Sequence, residues 1–90
     1  YTVPVDRNID DINRRIERVF REAVISVEDS DNIVVIKTLE GAAQAVGAIV
    51  DDLDWPEVVG SLAGDDTIFV VVKPADRTRE IMARFNKFRR

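Results

Sequence analysis

Apolar residues recur along this chain at two different spacings, and the switches between them mark out its elements. Ile9, Ile12, Ile16 and Val19 or Phe20 fall at helical spacing, with Asn8 or Asp6 placed to cap the helix they define. The period then shortens. Ala23, Ile25 and Val27 alternate with Val24, Ser26 and Glu28, which predicts a strand. Asp29-Ser30-Asp31-Asn32 is a turn cluster, and Ile33 to Thr38 reads as a second strand paired with the first as a hairpin. Gly41 punctuates, and residues 42–54 return to the helical period with Val46, Ile49, Val50 and Leu53 on the core stripe. Pro56 disfavours helical geometry at Trp55, so the helix stops at Asp54-Trp55-Pro56. Residues 58–63 and 67–73 predict a second hairpin around Gly64-Asp65-Asp66-Thr67. Pro74 suits the first position of a last helix whose apolar face is Thr78, Ile81, Met82, Phe85 and Phe88. Lys87, Arg89 and Arg90 complement the negative end of that helix.

This order predicts an α+β fold. Specifically, it is a two-layer sandwich: a four-stranded antiparallel sheet with helices on one face, a ββαββα core preceded by a short N-terminal helix. Such an architecture leaves one sheet face open. Yet Val34-Val35-Ile36 and Phe69-Val70-Val71-Val72 are apolar on both faces, and a strand of that kind expects cover on both sides. Ninety residues hold no element to supply it, so the second cover is expected to be another copy of the chain. Tyr1 to Val5 alternates like a strand end or linker. Its abrupt start, with no initiator Met, is expected of a fragment of something longer.

Composition narrows the chemistry. Hydrophobic residues make up 46% and charged residues 33%, as in a globular domain rather than a disordered one. No apolar run approaches the roughly 20 residues of a membrane span, and no signal peptide opens the chain. Cysteine is absent, which excludes disulfides and fits a cytoplasmic location. Histidine is absent as well, removing the commonest general acid/base, the Ser-His and Cys-His pairs and ordinary zinc sites. No catalytic residue and no metal ligand set is therefore assigned. A net charge of −4 argues against nucleic-acid binding by this chain itself. The best basic stretch, Arg14, Arg15, Arg18 and Arg21, is interrupted by Glu17 and Glu22 and has no interleaved aromatics.

The acids are distributed less evenly. Between Lys37 and Lys73 there is no Lys or Arg but there are seven acids, Glu40, Asp51, Asp52, Asp54, Glu57, Asp65 and Asp66. Crowded like charges repel, and an external cation relieves them. Asp65 and Asp66 are also ordinary hairpin-turn residues, so the turn alone does not require a ligand. A calcium-type ladder of spaced acids is missing. Gln44, Gly47 or Ala48, and Asp51 share one helix face, with Gln44 and Asp51 about 10 Å apart along the axis. A polar group at each end of a bare hollow suits an elongated zwitterion, an amide for its carboxylate and a carboxylate for its ammonium. The small residues also have a plain packing role, with Asp51 merely solvated. An adjacent acid pair prefers a guanidinium, whose planar fork donates bidentately, over an ammonium.

Gly41-Ala42-Ala43-Gln44, Asp51, Leu53-Asp54-Trp55 and Val59-Gly60-Ser61-Leu62-Ala63-Gly64-Asp65-Asp66-Thr67-Ile68-Phe69 together resemble the C-terminal domain of the bacterial arginine repressors. The resemblance runs from about residue 20 to the end. It implies residues 19–90 as an arginine-binding oligomerisation domain, and residues 1–18 as a linker and helical segment following a winged helix-turn-helix domain that is not in this chain. It further implies L-arginine as effector, with no other cofactor, and trimers paired into a hexamer with ligands at the trimer–trimer interface. Operator DNA would be a partner only through the N-terminal domain. Carried over by motif position, Gln44, Asp51, Asp65 and Asp66 are the arginine-contacting residues. Asp65 and Asp66 then serve the guanidinium, one of them reaching from a neighbouring subunit, and Gln44 and Asp51 serve the amino-acid end. Glu40 stands where the family usually has Pro, and Ser61 where it usually has Thr; the first adds charge near the site and the second keeps the hydroxyl. Other readings of the same residues are a purely structural oligomerisation domain and a sensor of a different amino acid.

Overall fold

The computed structural model describes the backbone from residue 9 to residue 90 and the side chains from residue 11. The caps at Asp6 or Asn8, the strand-like Tyr1 to Val5 and the side chain of Ile9 lie outside the described residues. Helix α1 spans Ile9–Ala23 and runs directly into strand β1, Val24–Ser30. Strand β2 (Ile33–Thr38), helix α2 (Ala43–Leu53), strands β3 (Val58–Ala63) and β4 (Thr67–Val72) and helix α3 (Thr78–Phe88) follow. The expected α+β sandwich is what forms. All strand pairs are antiparallel, in the order β1-β2-β4-β3, so the two hairpins join along β2 and β4 and leave β1 and β3 as edges.

The core lies between the sheet and the helices. Val34, Ile36, Ile68, Val70 and Val72 point inward against Ile16, Phe20, Val46, Val50, Ile81 and Phe85, all of them buried. Phe20 and Phe85 stack at 5.6 Å, and Phe88 meets Phe20 edge-on at the same centroid distance. Trp55 leans on Phe85 at 5.1 Å and so anchors the loop between α2 and β3. The alternate residues Val35, Phe69 and Val71 emerge on the other face, where no described element covers them. The two-faced apolar strands thus leave an open apolar surface, as their pattern required.

Two details differ from the sequence reading. The alternation expected across Ala23 to Glu28 fails at its start, because α1 continues through Ala23 and a bulge between Val24 and Ser26 turns Ile25 outward. The Ile25 carbonyl on this edge accepts a hydrogen bond from Arg89 at 2.7 Å. Pro74 is not the first residue of α3 either. It is extended, and a single 3₁₀ turn, Ala75–Arg77, stands between it and the helix. Thr78 then opens α3, its buried hydroxyl donating to the Ala75 carbonyl at 2.7 Å.

One ion cluster ties the α2–β3 loop to α3. Arg84 donates through both terminal nitrogens to Glu57 at 3.2 and 3.0 Å, bonds Glu80 one turn earlier, and lies 5.0 Å over the Trp55 ring. The hydrogen bond from Arg84 holds the Glu57 carboxyl below the ordinary carboxylate range, and those from Arg84 and Arg77 do the same for Glu80. Because both values are depressed in the folded chain, their stabilisation is present above the unfolded value, about 4.3, and is lost as pH falls through the lowered folded values. Thermal unfolding followed by circular dichroism should show an acid limb below about pH 4.3 that is shallower in Arg84→Met. An acid limb of unchanged slope in that variant would contradict the assignment.

Candidate functional site

Helix α2 and strand β3 build the site between them. Gly47 is buried, and a Cβ there would meet the Ala63 Cβ at 3.3 Å, so glycine lets the helix sit close on β3. Ala48, one position on, is exposed and forms bare floor. The result is a hollow of about 330 Å³ lined by Gln44, Gly47, Ala48, Asp51, Ser61, Leu62 and Ala63. Close packing and a bare floor are therefore both present, at neighbouring positions.

Each end of the hollow carries a fixed polar group. The Gln44 Nε2 donates to the Ala63 carbonyl at 2.8 Å, which pins the amide at the N-terminal end. The same Nε2 also reaches the Gly64 carbonyl at 3.5 Å, and the side-chain carbonyl of Gln44 accepts from no described group. At the other end the Ser61 hydroxyl donates to Asp51 Oδ1 at 2.8 Å. Asp51 and Asp52 stand in the last turn of α2, which has no basic residue. Acids at a helix C-terminus oppose the macrodipole by about 0.3–1 kcal/mol each. No Lys or Arg forms an ion pair with Asp51 among the described residues. The helix carries a local electrostatic penalty at the place where an external ammonium would be welcome.

Asp65 and Asp66 occupy the β3–β4 turn beside the N-terminal end of α2. The backbone sets the turn firmly: the Asp65 carbonyl accepts from the Gly41 and Ala43 amides at 3.1 and 3.2 Å, and the Asp66 carbonyl accepts from Thr38 at 2.8 Å. Gly41 makes this possible with φ 79, a left-handed conformation that side-chain-bearing residues avoid. Both carboxylates are exposed, and neither lines the hollow that holds Gln44 and Asp51. Within one chain, the structure brings Gln44 and Asp51 together and leaves the acid pair outside, past Gly64. Glu40 is likewise exposed, in the turn closed by the Ala42 amide on the Leu39 carbonyl at 3.0 Å.

Beside the hollow lies a second, apolar one of about 340 Å³ lined by Leu62, Ala63, Gly64, Thr67 and Phe69. Leu62 is 75% exposed and Phe69 47%, so the site borders the open face of the sheet. Among the described residues no group of His, Cys, Asp and Glu could hold a metal ion. No described helix is long and apolar enough to cross a membrane.

The model of the family described as arginine repressor, C-terminal domain, matches residues 20–87. The chain belongs to this family. Among proteins named arginine repressor, that of Symbiobacterium thermophilum is 56% identical over 70 residues, which are 78% of this chain and 47% of the relative. That of Moorella thermoacetica is 41% identical over 87 residues, 97% of this chain and 58% of the relative. That of Carboxydothermus hydrogenoformans is 45% identical over 74 residues, 82% of this chain and 49% of the relative. The chain thus spans about half the length of these arginine repressors. They are named as repressors, not as enzymes.

Two partners in this arginine repressor C-terminal domain escaped sequence reasoning. Ser61 reads in sequence only as a hydroxyl in place of the usual Thr, yet it orients Asp51 from the facing strand. The available signal was a lone polar residue between Gly60 and Leu62 in an otherwise apolar strand. Thr67 reads in sequence only as the end of the turn. Its hydroxyl in fact donates to Asp66 Oδ1 at 3.0 Å.

Proposed function

We propose that this chain is the effector-binding and oligomerisation domain of a cytoplasmic, arginine-responsive transcriptional regulator. L-Arginine is its effector, acting as corepressor in the control of arginine metabolism genes. The observation that carries this reading is the division of the site. The hollow between Gln44 and Asp51 fits the amino-acid end of a ligand, while the guanidinium-matching pair Asp65 and Asp66 stands outside it. A site divided in this way is completed when a neighbouring copy brings its acidic turn to the hollow. The open face of Val35, Leu62, Phe69 and Val71 beside the site gives copies a reason to meet.

The mechanism is linkage. Empty subunits bring unpaired carboxylates together, and their repulsion weakens the contact. Arginine spans the contact with charge-assisted hydrogen bonds at both ends and stabilises the assembly that holds the whole site. We place that assembly at trimers paired into a hexamer, with arginine at the trimer–trimer contact. It would present N-terminal DNA-binding domains, joined through the linker and helical segment of residues 1–18, in a fixed arrangement for operator DNA. Light scattering at micromolar protein should show the hexamer share rising with millimolar L-arginine. A trimer–hexamer balance indifferent to arginine would sink the linkage.

A further inference from the structure

The acid pair is not symmetrical, and its asymmetry traces to a cation on the neighbouring strand. Lys37 and Thr67 are direct cross-strand partners in the β2–β4 register, so their side chains share the open face of the sheet. The Lys37 Nζ donates to Thr67 Oγ1 at 3.3 Å, and the Thr67 hydroxyl donates to Asp66 Oδ1 at 3.0 Å. The direction of this chain is fixed by the groups themselves. An ammonium has donors only, so the hydroxyl must accept from it and spend its single proton on the carboxylate.

Asp66 is consequently held at two points, by the Thr38 amide on its carbonyl and by Thr67 on its carboxylate. Its Oδ2 has no donor among the described residues, and the Asp65 carboxylate has none at either oxygen. One acid of the pair is thus set in advance, and the other can adapt. A rigid fork of donors gains most from an acceptor whose orientation is already fixed.

Resting on the arginine reading above, we propose that Lys37 is a positioning residue for ligand specificity. It acts through Thr67 to hold Asp66 as the preset acceptor for a guanidinium, with Asp65 as the adjustable partner. Lys37 does not touch the ligand. Its effect is on discrimination: a fixed carboxylate favours a charged planar donor over the neutral urea group of citrulline, which cannot supply the same charge-assisted pair.

Lys37→Met and Lys37→Arg, compared with the wild type in the full chain, test this by two readouts. The first needs no ligand. Three-bond couplings to the Thr67 methyl should report one χ1 rotamer in the wild type, averaging in Lys37→Met and a single rotamer again in Lys37→Arg. The second is calorimetry with arginine and citrulline. Lys37→Met should lower the arginine-to-citrulline affinity ratio by about three- to tenfold, the loss expected of one hydrogen bond's orientation, and Lys37→Arg should restore it. A Thr67 rotamer that is averaged in the wild type, or indifferent to Lys37→Met, would overturn the proposal, as would an unchanged ratio with arginine bound. If the couplings behave as expected but the wild type takes up no arginine, the orienting chain stands. The arginine reading is then what fails, and with it the role in specificity.

Discussion

Phe69→Asp is expected to yield a folded chain that no longer forms the hexamer. Phe69 sits at the middle of the open face, paired across β4 with Val35 on one side and Leu62 on the other. Its neighbours in sequence, Ile68 and Val70, are fully buried and face the helices. A carboxylate at Phe69 therefore leaves the core between sheet and helices as it is. In an assembly that covers this face, the same carboxylate would be buried without a partner, at an effective cost of several kcal/mol per copy. Repeated in every subunit, that cost is enough to dissociate contacts of ordinary size. Sedimentation at micromolar protein with arginine should show no hexamer, only a smaller species whose helical circular dichroism matches the wild type. An unaltered oligomer would mean that the apolar face is not what holds the copies together.

Most of the fold was legible because its causes are local. The helical stripe Val46, Ile49, Val50, the turn at Asp31-Asn32 and the apolar run from Ile33 each name an element without help from the others. The errors came where a neighbour overrode the local pattern. Ile25 looks inward by alternation, yet the bulge after Val24 turns it out, to an edge where Arg89, just past the end of distant α3, meets its carbonyl. Pro74 looks like a helix start, but the helix waits for Thr78, whose hydroxyl can cap the preceding 3₁₀ turn.

The site was legible in part, for the same reason. Gln44 and Asp51 share a hollow because helical periodicity puts them on one face, and periodicity is visible in sequence. Ser61 acts across the packing of β3 on α2 and Lys37 across a strand pair, and both are set by the folded sheet rather than by any one segment. The stretch between Lys37 and Lys73 reads as devoid of cations, but its bounding lysine folds back onto the hydroxyl beside Asp66. The acid pair therefore has an internal donor at one remove, which orients it without neutralising it.

The second large effect concerns Asp66 itself. Replacing its carboxylate with an amide in Asp66→Asn keeps the shape of the turn and the Thr38-to-carbonyl bond while removing the charge that a guanidinium seeks. Hydrogen bonds to charged groups are worth about 1.5–3 kcal/mol, so arginine affinity should fall by roughly ten- to a hundredfold. Citrulline, which offers no positive charge at that end, should change far less. Lysine should bind the wild type well below arginine, because an ammonium cannot engage both carboxylates in a planar fork. Calorimetry of the wild type and Asp66→Asn against arginine, citrulline and lysine is the most direct measurement of the account. It predicts heat with arginine far ahead of the other two and a selective loss of that advantage in Asp66→Asn. Equal affinity of the two proteins for arginine, or a wild type that ranks citrulline or lysine beside it, would contradict it.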